Sequence, residues 1–283
     1  MSQSNYVMNA RMMMGPVTLR VRDLDTTIRF YTEDLTLRVV RQQGDTIELA
    51  PTKTSQTLII IKHDSEAKTP PRNSAGLYHY AILLPNRTAL ARAYLALGRA
   101  GLTFDGYADH LVSEALYLTD PEGNGIEIYA DKPRNHWKMN DDGTPQMGTY
   151  PLDIESLLLE VKKTDDEPRA IDERAVIGHV HLKVTEMRRS TDFYRQLGLN
   201  LMNYWESAAF LSAGGYHHHI GINTWESSSG SPCEEGWIGL ENFTIQVPDT
   251  EILELASRFG TTRHLILFQD PDGIRIMIKA LSG

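Results

Sequence analysis

The 283-residue sequence has one cysteine, no excess of positive charge and no long apolar runs. Cys233 is the only cysteine, which excludes an intramolecular disulfide and favours a reducing compartment. The formal net charge is −9 and lysine and arginine nowhere cluster, so we expect no nucleic-acid partner. No apolar run approaches the roughly 18 residues of a membrane helix, and the methionine-rich start lacks a signal-peptide core. We therefore expect a cytoplasmic protein that acts on small molecules, with no membrane partner.

The sequence does contain an internal repeat. Residues 17–21 match residues 180–184, and the Phe-Tyr pair at 30–31 matches the pair at 193–194. Each copy reads as a strand of alternating polarity, an amphipathic helix and then further short strands. The chain therefore carries at least one duplicated supersecondary unit.

A second pair of repeats lies between and after the first pair. Residues 79–84 and 242–247 read as opening strands, and residues 87–99 and 251–259 read as helices. An Asp-Pro-Glu-Gly turn at Asp120 is echoed by Asp-Pro-Asp-Gly later in the chain. One such sheet cannot bury both of its faces. We predict an α+β fold in which four βαβββ modules pair into two cupped half-barrels.

The repeats suggest a division of the chain. We predict an N-terminal tail over residues 1–15 and a first domain over 16–131, made of modules one and two. A linker would follow over 132–174, with a short helix near 153–163, and modules three and four would form a second domain over 175–283. Whether modules two and three share a barrel within one chain or across a dimer stays open, as does a homo-oligomer.

The aligned repeats differ in their polar residues. Only modules two and three offer an imidazole at the aligned position of the first strand, where the residues are Pro16, His79, His179 and either Asn242 or Phe243. At the matching place on the last strand, module two has Glu127 and module four has Arg275. We therefore expect modules one and four to be structural.

A predicted hairpin places Tyr117 opposite Glu127, because two alternating runs flank a concentrated turn signal. His79 and Glu127 would supply two thirds of a 2-His-1-carboxylate site, which favours divalent iron. His179 is the expected third ligand. His181 competes, since residues two apart on a strand share a face, but it aligns with Thr18.

A repeated βαβββ unit with ligands on its first and last strands resembles the vicinal oxygen chelate superfamily, which includes glyoxalases, fosfomycin-resistance enzymes and extradiol dioxygenases. Three phrases are similar to those of bacterial catechol 2,3-dioxygenases: Gly-Leu-Tyr-His at Gly76, Ser-Glu-Ala-Leu-Tyr-Leu at Ser113 and Gly-Gly-Tyr-His-His-His-Ile-Gly at Gly214. The resemblance implies that O₂ cleaves the ring of a catechol, substituted catechol or hydroquinone, giving a semialdehyde. Iron(II), or manganese, would be held by His79, His179 and Glu127.

The resemblance also implies three catalytic residues. His218, in a histidine run placed on the last strand of module three, would be the acid/base, because the run of residues 220–222 matches the family's strand; strand alternation separates it from His217 and His219. Tyr117, ten residues before Glu127, would hydrogen-bond the substrate. His110 would bind substrate, although its spacing to Tyr117 is shorter than in the family.

Two other functions share this fold. A glyoxalase-like isomerase or thiol transferase would take a carboxylate or glutamine from both modules, whereas module three offers the histidine run. A non-catalytic protein that binds an aromatic compound would not need a buried carboxylate opposite a tyrosine. The sequence does not identify the ring substituents of the substrate.

Overall fold

The computed structural model describes residues 6–161, 169–258 and 265–281. The first half of the chain contains two repeated units. Unit one comprises β1 (Met13–Val21), α1 (Leu24–Arg29) with a π-helical turn (Phe30–Asp34), β2 (Arg38–Gln43), β3 (Thr46–Ala50) and β4 (Ile59–His63). Unit two comprises β5 (Gly76–Leu84), α2 (Arg87–Arg99), β6 (Gly106–Asp109), β7 (Ser113–Thr119) and β8 (Gly125–Asp131).

The second half repeats the pattern after a connecting segment that holds a 3₁₀ turn (Arg134–His136) and α3 (Ile154–Leu159). Unit three comprises β9 (Val176–Lys183), α4 (Met187–Gln196), β10 (Asn200–Trp205), β11 (Ala208–Ser212) and β12 (Ile220–Asn223). Unit four comprises β13 (Gly239–Val247), α5 (Asp249–Arg258), β14 (Leu265–Gln269) and β15 (Arg275–Ala280). The ends of the predicted helices near 153–163 and 251–259 lie outside the described residues.

Three helix starts follow from side-chain caps. Asp23, Asn86 and Asp153 each accept a hydrogen bond from a backbone N–H in the first turn of α1, α2 and α3, respectively. Such caps satisfy donors that the helix cannot pair internally. Among the described residues, none of the helices has the length and apolar character needed to cross a bilayer.

The units form two curled sheets, as predicted. One has the strand order β10-β11-β12-β9-β5-β8-β7-β6 and the other β14-β15-β13-β1-β4-β3-β2. Units two and three therefore share a sheet within one chain, joined by the antiparallel pair β5–β9, and units one and four share the other. One continuous apolar core contains residues of both sheets and of the helices.

The sheets do not follow the division at residues 132–174, because each takes one unit from either side of that segment. Within each half of the chain, however, a buried tyrosine reaches the turn of the next unit. The Tyr31 hydroxyl donates to Asp120 Oδ2 at 2.9 Å, and the Tyr194 hydroxyl donates to Asp270 Oδ2 at 3.0 Å. The domain boundaries stay a prediction.

Candidate active site

The two central strands bring histidines of units two and three together. In the β5–β9 pair, His79 lies opposite His181 and Ala81 lies opposite His179, with a register shift just after Ala81. The shift falls at Gly178, where an added Cβ atom would lie 1.9 Å from the Tyr129 hydroxyl oxygen. Only glycine therefore fits at the position before His179.

The β7–β8 hairpin supplies the carboxylate. Tyr117 pairs with Glu127 across the hairpin, as predicted, and Glu127 is also the parallel partner of Ala81. Since Ala81 lies between Glu127 on one side and His179 on the other, the sheet register carries these two side chains to the same place.

His79, Glu127 and His179 form a buried group whose candidate ligand atoms all lie within 4.8 Å of one another. Nε2 of His79 and Nε2 of His179 are each 3.0 Å from Glu127 Oε2. His79 Nε2 is buried without a hydrogen-bond partner among the described residues, although it faces this carboxylate. Two imidazole nitrogens and a carboxylate oxygen converging in this way fit a divalent metal ion such as iron or manganese.

The protonation states of these side chains also favour the binding of a cation. Burial would raise the pKa of Glu127, but the imidazoles of His179 and His79 outweigh it and hold that pKa well below its usual range. Burial lowers the pKa of His179 to about 4, with partial compensation from Glu127. At neutral pH the site therefore presents a carboxylate anion beside a neutral imidazole of His179, which are the forms that bind metal.

His181 has a different environment from His179. Its Nε2 atom accepts a hydrogen bond from the Asn223 side-chain amide at 3.1 Å, and it is not part of the metal-ligand group. Gly221 makes room for it, since a Cβ atom there would lie 2.9 Å from the imidazole ring. The geometry therefore favours His179 as the ligand from this strand.

The predicted strand position of the histidine run was wrong. β12 begins only at Ile220, and the run follows a turn at Gly214 and Gly215, whose φ angles are 64° and 66°. The backbone over His217, His218 and His219, which the alternation argument placed in the strand, is irregular. His218 nevertheless lines the cavity, whereas His217 and His219 do not.

Tyr117 and His110 form a hydrogen-bonded pair at the cavity wall. His110 Nε2 lies 2.6 Å from the Tyr117 hydroxyl oxygen, and His110 Nδ1 lies 2.8 Å from the Gly148 carbonyl oxygen. A carbonyl only accepts, so Nδ1 carries the proton of the neutral imidazole and Nε2 accepts from Tyr117. Burial and the neighbouring Glu127 raise the pKa of Tyr117 well above its usual value, so it stays a phenol.

These side chains surround a cavity of about 450 Å³, which we call the inner cup. Sequence reasoning missed most of its wall. Aromatic side chains form one side, and the segment predicted as a linker contributes another; the residues are Tyr78, Trp205, Phe210, Trp225, Met147, Gly148 and Thr149. The only signal in the sequence was the concentration of aromatics on either side of the histidine run.

The sheet of units one and four holds a cavity of about 530 Å³ on the strands of unit four, which we call the outer cup. Thr244 pairs with Met277 there as Ala81 pairs with Glu127 in the other sheet. Met277 therefore occupies the place of Glu127, and the prediction that Arg275 does so was wrong. The turns before β8 and β15 have the same length, since Thr119 pairs with Gly125 and Gln269 pairs with Arg275, so Arg275 is the equivalent of Gly125.

The chain thus pairs its repeated units into two curled sheets, and one of them holds a buried His-His-carboxylate group that could bind a metal ion. Residues 13–128 match the profile of the Glyoxalase/Bleomycin resistance protein/Dioxygenase superfamily. Over 247 residues the chain is 38% identical to a Bacillus subtilis (strain 168) protein named catechol-2,3-dioxygenase, with 86% of each chain covered. The chain belongs to this superfamily, which confirms the resemblance inferred from the sequence.

Solved structures share the fold. A putative dioxygenase from Bacillus subtilis has a TM-score of 0.62 at 14% identity, with 98% of this chain and 86% of that chain covered. Glyoxalase I from Zea mays has a TM-score of 0.53 at 17% identity, with 94% and 92% covered.

Proposed function

We propose that the protein is an extradiol dioxygenase, which uses iron(II) and O₂ to cleave the ring of a catechol, a substituted catechol or a hydroquinone. The observation that carries the proposal is the buried group of His79, Glu127 and His179, of which His79 and Glu127 line an aromatic-walled cavity. Support comes from the 38% identity to a protein named catechol-2,3-dioxygenase. The product would be a ring-opened semialdehyde.

His79, His179 and Glu127 would hold the ion. When bound, the ion would supply Lewis acidity toward the two diol oxygens and a binding site for dioxygen. Because only one of the three ligands is anionic, the site keeps a net positive charge for an anionic substrate.

His218 would act as the general base and later as the general acid. Burial, followed by the neighbouring imidazoles, holds its pKa well below the usual value, so it is neutral and able to accept a proton at neutral pH. Its ring centroid lies 4.1 Å from that of His179, which places it beside the proposed metal site. Acid/base assistance of this kind contributes roughly 10²- to 10⁴-fold in rate.

Tyr117 would hydrogen-bond the substrate oxygen, and His110 would fix its orientation. The 2.6 Å bond from the Tyr117 hydroxyl to His110 holds the phenol against the cavity wall. The aromatic wall would stack on a flat ring. The inner cup contains Glu127 and Asp105 as its acidic lining residues, and Asp105 already accepts a bond from Thr119. This lining disfavours the alternative of a glyoxalase-like isomerase, which would take a second carboxylate ligand.

The test is to load the protein with iron(II) under anaerobic conditions, add catechol and then admit air. We expect a yellow product and consumption of one O₂ per catechol. His179→Asn should abolish both metal retention and colour, while the matched variant His181→Asn should retain the metal. Turnover of a methylglyoxal–thiol adduct, or tight binding of catechols and hydroquinones without O₂ uptake, would refute the proposal.

A further inference from the structure

Behind His218 lies a hydrogen-bonded chain that the reaction described above does not use. His218 Nδ1 is 2.8 Å from His217 Nδ1, and His217 Nε2 is 3.0 Å from Asp131 Oδ1. Asp131 is the last residue of β8, the strand that also carries Glu127. Strand β8 therefore supplies both a proposed metal ligand and the last residue of this series of hydrogen bonds.

The donor and the acceptor of each hydrogen bond in this series follow from the chemistry of Asp131. An ionised carboxylate only accepts, so His217 donates to Asp131 from Nε2. In a neutral imidazole the other nitrogen is then bare, so His217 Nδ1 accepts from His218. His218 must carry its proton on Nδ1, which leaves Nε2 as the bare nitrogen.

Packing prevents the two rings from leaving this arrangement. His217 is fully buried, and its ring centroid lies 4.0 Å from that of Tyr216 and 5.6 Å from that of Trp137. The Tyr216 hydroxyl also donates to Asp131 Oδ1 at 3.2 Å. On the cavity side, the His218 ring packs against Phe210 with centroids 5.0 Å apart.

We propose that Asp131 and His217 are positioning residues, which hold His218 in the Nδ1–H tautomer so that its bare Nε2 is offered to the substrate in the inner cup. The inference rests on the proposed function, because it assigns the orientation of the acid/base in that reaction. A carboxylate that fixes the tautomer of a catalytic histidine is an established device in hydrolases. Here a second imidazole stands between the two.

His219 shows that the run does not act as a single unit. Its Nδ1 atom lies 2.9 Å from the Ser212 hydroxyl oxygen, away from Asp131. The assignment therefore concerns His217 and His218 alone, and it distinguishes three consecutive histidines by their partners.

The kinetic test compares Asp131→Asn with Tyr216→Phe in the iron-loaded protein. The amide of the first variant can donate to His217 Nε2. The donor and acceptor of each hydrogen bond are then exchanged, and the His218 proton moves to Nε2. We expect kcat to fall about 10- to 100-fold, the usual cost of losing an outer-shell partner, with KM for catechol changed less than about threefold. Tyr216→Phe removes the hydroxyl's bonds to Asp131 and Tyr129 but keeps the ring against His217 and the bond from His217 to Asp131, so its kcat should fall much less than that of Asp131→Asn.

A second measurement does not depend on activity. In the full-length chain with ¹⁵N-labelled histidine and no paramagnetic metal, long-range ¹H–¹⁵N correlations report which ring nitrogen is bare. His218, assigned by the loss of its signal in His218→Asn, should be the Nδ1–H tautomer in the wild type. In Asp131→Asn it should shift to the Nε2–H form.

A wild-type His218 protonated on Nε2, or an Asp131→Asn variant with unchanged kcat and unchanged tautomer, would overturn the inference. A wild type that cleaves no catechol but shows the expected tautomer would refute the proposed function and leave the positioning of His218 standing. The two failures are therefore distinguishable.

Discussion

The inner and outer cups are built on equivalent strands, yet the carboxylate of each has opposite partners, and Glu127 is buried whereas Glu241 is partly buried. In the inner cup, Glu127 has two imidazoles within 3.0 Å and no lysine or arginine partner among the described residues. In the outer cup, Glu241 pairs with Arg20 at 2.5 Å, Lys62 at 3.1 Å and Arg275 at 2.9 Å.

This difference is the one we expect between a metal-binding cup and a purely structural one. Burying a carboxylate is costly unless a cation accompanies it. The outer cup takes its cations from the chain, and the equivalents of the proposed ligands there are Pro16, Asn242 and Met277. The inner cup lacks a chain cation at Glu127, so a metal ion would complete it.

The largest expected effect comes from removing the inner carboxylate. Glu127→Gln should lower metal affinity by more than about 100-fold and abolish ring cleavage, because loss of an outer-shell partner alone costs 10- to 100-fold. Metal content per chain and O₂ uptake measure this. Glu241→Gln is the matched control in the outer cup and should keep the metal content and the O₂ uptake of the wild type. Equal metal loss in the two variants would contradict the proposed difference between the cups.

A smaller effect is expected at the position opposite Glu127. Tyr117→Phe should lower kcat by about 10- to 100-fold, because the phenol would accept one hydrogen bond from the substrate and donates another to His110, each worth roughly 0.5–1.5 kcal/mol. Metal content should not change, since Tyr117 is not a proposed ligand. In the outer sheet Leu267 pairs with Met277 as Tyr117 pairs with Glu127, so Leu267→Phe is the matched control and should leave kcat unaltered. A Tyr117→Phe enzyme with wild-type kcat would remove the phenol from the mechanism.

Much of this contrast could be predicted from the sequence, because it depends on local signals. The hairpin turn fixes the register of Tyr117 and Glu127, and the repeats identify which units carry imidazoles. The predicted strand position of His217 was wrong, since the backbone stays irregular after the two glycines with positive φ and β12 begins only at Ile220. The cup wall could not be predicted either. Residues such as Met147 and Trp225 reach the cavity through tertiary packing, which no local pattern encodes.

The outer ion pairs should contribute to stability and not to chemistry. Glu241→Gln leaves the buried guanidinium of Arg20 with Asp64 alone, so we expect a loss of about 2–3 kcal/mol in the free energy of unfolding. Urea denaturation at pH 7 measures it. Burial would raise the pKa of Glu241, but its hydrogen bonds with Arg20 and Lys62 outweigh burial and lower it. The stabilisation is thus present above the unfolded pKa of about 4.3 and is lost as pH falls, so the two proteins should converge in acid.

The smallest effect concerns a feature that the two sheets share. Burial raises the pKa of Asp270, which accepts from Tyr194, from 3.8 to about 6. Between these values the unfolded chain has released the proton and the folded chain has kept it, so this group makes stability fall as pH rises. Relative to Asp270→Asn, the wild type should therefore lose about 2 kcal/mol between pH 4 and pH 7, measured by urea denaturation at each pH.

Asp120, the equivalent carboxyl of unit two, accepts from Tyr31, and burial raises its pKa as well. Asp120→Asn should therefore change the pH dependence of unfolding in the same direction as Asp270→Asn. If the two Asp variants change the pH dependence of unfolding in the same direction, the turns of the two sheets are equivalent. If Glu127→Gln loses metal and Glu241→Gln does not, the sheets then differ in their cups and not in these turns. A pH dependence of opposite sign in Asp120→Asn would show instead that the sheets differ in their turns too, and that the comparison of cups does not isolate the metal site.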